Sequence, residues 1–100
     1  MMDFIYAKEK IYSQDEQGNI LAEVDIPIRD ENRIDIKHVF VDESLRGQGI
    51  ASQLMKLAYD HIKGQNKMIV AKCPYAIAWF RKYPEYQDIV INVKTKKTDE

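Results

Sequence analysis

Between Val41 and Ile50 the chain reads Asp42-Glu43-Ser44-Leu45-Arg46-Gly47-Gln48-Gly49, an arginine and two glycines set just before a stretch of helical periodicity. Having no Cβ, Gly47 and Gly49 let the backbone come close to a ligand. A helix opening at Ile50 leaves its first amide N–H groups without partners and carries a partial positive charge, and a phosphate answers both. Arg46 adds a full charge that can fork onto phosphate oxygens. Two-glycine loops also serve as plain helix-start turns, so the rival patterns matter. A Walker loop needs Gly, four residues, Gly-Lys and Ser or Thr, and no such string occurs. A dinucleotide fingerprint ends in Gly or Ala, whereas Gly47-Gln48-Gly49-Ile50-Ala51-Ser52 ends in serine and follows strands that read as antiparallel.

The elements that must hold this loop are legible from periodicity. Phe4 to Tyr6 and Lys10 to Ser13 are short β-prone pieces, and Gln17-Gly18-Asn19 supplies a tight turn into a hairpin. Ile20, Ala22, Val24, Ile26 and Ile28 alternate with Leu21, Glu23, Asp25 and Pro27, the pattern of a half-buried strand. After the polar turn Arg29 to Arg33, Ile34, Ile36, His38 and Phe40 share one face, with Asp35, Lys37, Val39 and Val41 on the other. His38 is therefore expected on the apolar side, where a lone histidine is more often a packed core residue than a catalyst. Ile50, Leu54, Leu57, Ala58, His61 and Ile62 recur at steps of three and four, predicting an amphipathic helix ended by Gly64. Met68 to Lys72 fits a buried strand parallel to the one before that helix. Pro74 can open a second helix with the stripe Ala76, Trp79, Phe80 and Tyr83, which Pro84 stops. Ile89 to Val93 reads as a last strand. The expected organisation is one domain over residues 1–94, then a loosely ordered tail over 95–100.

Composition narrows the class. One hundred residues, 45% apolar and 31% charged, make one ordinary domain with its own core and exclude disorder. Fifteen basic and sixteen acidic residues leave a net charge of -1, so no global field draws nucleic acid or anionic lipid. Lys94, Lys96 and Lys97 are diluted by Thr95, Thr98, Asp99 and Glu100 and read as a solvated tail. Cys73 stands alone and cannot form an internal disulfide, Met1 to Lys10 lacks the apolar run of a signal peptide, and no stretch nears the roughly 18 apolar residues of a membrane span. A soluble, cytoplasmic protein is expected. Cys73, His38 and His61, without a carboxylate cluster, make no metal ligand set.

The string His38-Val39-Phe40-Val41-Asp42-Glu43-Ser44-Leu45-Arg46-Gly47-Gln48-Gly49-Ile50-Ala51 resembles the acetyl-CoA-binding motif of the GCN5-related N-acetyltransferases, whose pattern Arg or Gln, two residues, Gly, one residue, Gly or Ala is met by Arg46, Gly49 and Ala51. With Lys72-Cys73-Pro74-Tyr75 and Pro84-Glu85-Tyr86-Gln87-Asp88, the small size resembles the YjdJ-like, single-domain branch. The likeness spans about Ile20 to Val90. It implies an α+β fold, a mostly antiparallel mixed sheet with two helices, whose strands ending at Val41 and near Cys73 splay apart. Acetyl-CoA is the implied cofactor. Its pantetheine arm would bond the backbone of Val39, Phe40 and Val41, and its pyrophosphate would sit on Gly47 to Ala51, with Gln48, Ile50 and Ser52 in the same cradle.

The resemblance further implies an amine acceptor attacking the thioester, a base, and an acid for the leaving thiolate. Cys73 and Tyr75, at the end of the strand beside the expected thioester, are candidates. Cys73 alternates with Ile69 and Ala71, and a helix start after Pro74 could lower its pKa enough for a transient acetyl-cysteine; the ordinary reading of such a residue is an inert buried thiol. His38 is a candidate base. Larger members place two helices between the first strands, where this chain has strands and turns. The alternative function is therefore an acyl-CoA-binding or sensing module without turnover.

Overall fold

The computed structural model describes residues 2–93, so the expected tail and its lysines lie outside the described residues. In chain order it forms strands β1 (Ile5–Tyr6), β2 (Lys10–Gln14), β3 (Ile20–Asp25), β4 (Arg33–Ile36) and β5 (His38–Val41), helix α1 (Ile50–Gly64), strand β6 (Met68–Ala71) and helix α2 (Pro74–Lys82). Four strands make an antiparallel sheet in the order β1-β2-β3-β5, while β4 and β6 pair in parallel. The mixed α+β architecture is the expected one. The β2–β3 hairpin turns where Asp15 Oδ1 accepts the amides of Gln17 and Asn19 at 2.9 and 2.8 Å, with Gly18 at φ 88°. That local bonding replaces the strand ladder for a few residues.

The strand expected from Ile34 to Val41 is two strands in two sheets. As far as Ile36 the chain pairs with β6; from His38 it pairs with β3. At the join the Lys37 amide donates to the Asp25 carbonyl at 2.9 Å, although His38 is the residue opposite Asp25. Two residues thus face one, a bulge, and one extra residue inverts which side chains point inward. Ile34 and Ile36 are buried; beyond the bulge Val39 and Val41 pack against the core and His38 is exposed. The expected placement of His38 on the apolar face is corrected by this shift. The parallel partner of β6 is likewise β4, not the segment that leads directly into α1.

Three further expectations change. Helix α1 ends at Gly64 as expected, but the left-handed cap lies elsewhere: that residue is Asn66 at φ 60°, and the amides of Asn66 and Lys67 cap the carbonyls of Lys63 and Ile62. Ile89 to Val93 forms a single bridge, Ile69 with Val90, because the Asn92 side chain then takes the backbone's place, donating to the Ala71 carbonyl at 2.7 Å and accepting its amide at 2.9 Å. Ile28 is exposed, since the β3 ladder ends at Asp25, two residues before Pro27.

Both helices lie on the core. The buried side of α1 carries Ile50, Leu54, Met55, Ala58, Tyr59 and Ile62, and that of α2 carries Ala76, Trp79 and Phe80. Leu54 is fully buried among them. Leu54→Ala should therefore destabilise the protein by about 3 kcal/mol, through lost transfer energy and an unfilled cavity. Urea unfolding should show a lower midpoint with an unchanged slope.

Candidate active site

The split at Lys37 leaves β5 at the edge of its sheet. The Asp42 amide donates to the Leu21 carbonyl at 2.7 Å, and hydrogen-bonded positions in an antiparallel ladder recur every second residue. Phe40 and His38 therefore turn their backbone groups to β3, and Val39 and Val41 turn theirs outward. One of these outward groups, the Val41 carbonyl, accepts Arg46 Nε at 3.1 Å. On the other side of the divergence β6 follows β4, with the amides of Lys72 and Cys73 donating to the Ile36 carbonyl. The two strands part, and a groove opens along the free edge of β5.

The loop to α1 is shaped by short-range bonds. Asp42 Oδ2 accepts from the Ser44 amide at 3.0 Å and the Ser44 hydroxyl at 2.5 Å, starting a 3-10 turn at Glu43–Leu45 and holding the Asp42 carboxyl below its ordinary pKa. Gly47 and Gly49 follow at φ 84° and 78°, values that L side chains seldom adopt. Gly49 is the N-cap of α1 and offers no side-chain acceptor; the first bond of the helix is Gln53 to Gly49 at 3.0 Å, and no acidic residue occupies the first turn. Among the described residues the amides of Gly47 to Ser52 reach no protein acceptor. A hollow of about 160 Å³ lies there, walled by Val41, Leu45, Arg46, Gly47, Gly49, Ile50, Ala51, Ser52 and Tyr75.

A second hollow, of about 440 Å³, adjoins it along β5 and is walled by His38 to Val41, Arg46, Ala51 and Tyr75. Of the expected catalytic residues, His38 and Tyr75 are brought together here. Tyr75 also borders the loop hollow, and burial, followed by the neighbouring Tyr83 and Cys73, pushes its hydroxyl above the ordinary tyrosine pKa. Cys73 is placed differently. Only 8% exposed, it joins Ile69 and Ala71 in the core, and its Sγ accepts the Ala76 amide at 3.3 Å as the N-cap of α2. It walls neither hollow. Gln48 is exposed and also outside both. An open hollow of about 490 Å³ beside Lys8 to Lys10 and Tyr12 holds none of these groups. Among the described residues no three His, Cys, Asp or Glu side chains converge as metal ligands.

Ser52 was expected in the cradle, but one wall residue, Leu45, and one bond, between Ser52 and Trp79, escaped the sequence reading. Leu45 walls the loop hollow, and Ser52 Oγ accepts Trp79 Nε1 at 2.8 Å, locking the first turn of α1 to α2. Nothing in one dimension ties residues 27 apart; a serine in a helix's first turn and a tryptophan on a buried stripe are each ordinary. Together the parts suit an anion joined to an extended amide-bearing chain: phosphate oxygens on the free α1 amides and Arg46, and chain amides along Val39 and Val41. That is the form of coenzyme A.

Comparison with known proteins bears this out at the level of family. A family profile described as GCN5-related N-acetyl-transferase matches residues 10–89. A GCN5-like protein from Staphylococcus aureus, solved by NMR and classed as an N-acetyltransferase, superposes with a TM-score of 0.80 at 29% identity, covering 99% of this chain and 97% of its own. YhbS from Escherichia coli, a GNAT-family N-acetyltransferase crystallised with CoA, gives 0.53 at 24% identity over 62% of this chain and 38% of its own. Ard1 from Thermoplasma volcanium gives 0.59 at 20% over 76% and 54%. These last two share the fold, and this chain spans about half of their length or less. No curated protein matches. Among the described residues no helix is long and apolar enough to cross a membrane. With most of its length matched by the profile, the chain belongs to the GCN5-related N-acetyltransferase family, acyltransferases that use acetyl-CoA.

Proposed function

We propose that this protein transfers the acetyl group of acetyl-CoA to an amine, using the groove along β5 as its active site. The observation that carries this reading is the meeting, at one edge, of outward backbone groups on Val39 and Val41 with the unpartnered amides at the start of α1. The amides of Gly47 to Ser52 and Arg46 hold the pyrophosphate, and Val39, Phe40 and Val41 line the pantetheine arm. When bound, acetyl-CoA supplies the thioester carbonyl that the amine attacks. His38, exposed at the groove, takes the proton from the amine, and Tyr75 gives a proton to the leaving thiolate. We assign Cys73 to positioning: as N-cap of α2 it fixes the first turn that carries Tyr75. The near-complete match to a similarly sized Staphylococcus aureus protein supports the small, single-domain, YjdJ-like branch. Before α1 the described chain holds five strands and one 3-10 turn, which leaves the acceptor side open.

Tyr75→Phe should lower kcat about 10²-fold while KM for acetyl-CoA changes little, because the hydroxyl acts in the transition state. A donor must be protonated to act, and the Tyr75 pKa is raised; wild-type activity should thus hold through neutral pH and lose this contribution only above about pH 10. Binding without turnover of any amine in an acceptor screen followed by mass spectrometry would favour the acyl-CoA-binding module instead.

Gly49→Val puts a branched side chain at φ 78°, a strain of roughly 1–2 kcal/mol, in space open toward the ligand. The domain should still fold, and the rise in Tm caused by CoA should vanish; full retention of that rise would show the loop assignment to be wrong.

Cys73→Ser keeps a capping atom and should keep most of the turnover. Mass spectrometry of the wild type mixed with acetyl-CoA alone should show no acetyl group on Cys73. An adduct there, lost with activity in the serine variant, would establish the acetyl-cysteine route.

A further inference from the structure

Where β6 parts from β4, two lysines stand side by side. Ile36 is opposite Ala71 in the parallel register, and the amides of Lys72 and Cys73 donate to the Ile36 carbonyl at 2.9 and 3.3 Å, so Lys37 and Lys72 flank the last bonds of that ladder. Ile34, Ile36, Ile69 and Ala71 are buried, which sends Lys37 and Lys72 to the face turned away from the core, and both are exposed. Among the described residues neither ammonium reaches a carboxylate or a carbonyl. Two carboxylates on this face are already engaged: Asp35 holds Arg29 at 2.7 Å and Glu23 holds Lys10 at 3.2 Å. Asp25, opposite Lys10 on one side and His38 on the other, has no ion pair among the described residues. Like charges set together repel, and an anion between them removes that cost.

The position of this pair ties it to the groove. With the pyrophosphate on the α1 amides, the pantetheine arm runs down β5 from Val41 to His38, about 10 Å at roughly 3.3 Å per residue, and brings the thioester to the end of β5 that adjoins Lys37. Resting on the reading that this groove transfers acetyl from acetyl-CoA, we propose that the acceptor is an amine carrying an anionic group, a carboxylate or a phosphate, and that Lys37 and Lys72 hold that group. Asp25 and His38 meet the amine end of the same molecule. The step is the one already given: the nitrogen–carbon bond forms, the carbon–sulfur bond breaks, His38 takes the amine's proton and Tyr75 gives one to the thiolate. An acceptor of this class finds opposite charges for both its ends, whereas a polycation meets the two lysines as like charges. Lys37 and Lys72 are therefore specificity residues, acting on the acceptor away from the atoms that react.

Acetyl transfer to a panel of amino acids and aminoalkyl phosphates, each beside its neutral amide or alcohol, tests this. For each pair, kcat/KM of the anionic member is divided by that of the neutral one, and the wild type is compared with Lys37→Ala, Lys72→Ala and Lys72→Arg. Each alanine variant should lower the ratio about tenfold, and Lys72→Arg should keep it. Raising the salt should lower the wild-type ratio. Whether the amino acids or the aminoalkyl phosphates show the larger fall identifies the anionic group. A ratio that neither alanine variant moves, an equal fall for both members of a pair, or turnover of neutral members alone would overturn the proposal. Absence of turnover across the whole panel, with CoA still raising the Tm, would overturn the transfer reading itself and this proposal with it.

Discussion

A strand edge can hold only one ladder of hydrogen bonds, and at Lys37 the chain leaves one ladder for another. Everything else in the site follows from that exchange. Ile36 ends the parallel pairing with β6, His38 begins the antiparallel pairing with β3, and the bulge between them absorbs the odd residue. Because β3 satisfies only one side of β5, its other side is left with backbone donors and acceptors that no strand among the described residues takes up. A sheet continuous across this point would pair the same groups.

The helices make that opening durable. Both pack on one core, and the bond between Ser52 and Trp79 ties the first turn of α1, where the amides are free, to α2, where Tyr75 stands. Trp79 is in turn surrounded by Phe80, Tyr83 and Tyr86 at centroid distances of 4.9 to 5.4 Å. Tyr86 meets Tyr59 edge-on, and the Tyr59 hydroxyl donates to Asp88 at 2.6 Å while Lys63 pairs with the same carboxylate at 2.8 Å. These bonds lower the Asp88 pKa and raise that of Lys63. The depressed carboxylate contributes its stability above the ordinary Asp range and loses it as the pH falls through its lowered value; with both side chains about half exposed, the contribution is small. The weight rests on the aromatic packing.

Much of this was legible one residue at a time. The period of two in Ile20 to Ile26, the period of three to four from Ile50, and the proline brackets Pro74 and Pro84 mark elements because they reflect local geometry, and the glycines before Ile50 mark a loop that opens a helix. Misreadings came where a distant partner decided. His38 was assigned to the apolar face because alternation assumes an unbroken strand; Val90 was given a strand that Asn92 cuts to one bridge; and the end of α1 at Gly64 was foreseen, but not the left-handed cap that Asn66 supplies.

The sequence by itself therefore determined the elements, the two-glycine loop that opens α1 and the family to which they belong, since those depend on neighbours within a few residues. Only the tertiary structure decided that β4 and β5 serve different sheets, that His38 and Tyr75 meet at one groove, that Cys73 caps a helix inside the core, and that Lys37 and Lys72 stand side by side where β6 parts from β4. Those facts depend on which strand takes which partner, a choice made by the competition of ladders and the packing of the whole core, and no stretch of sequence carries it alone.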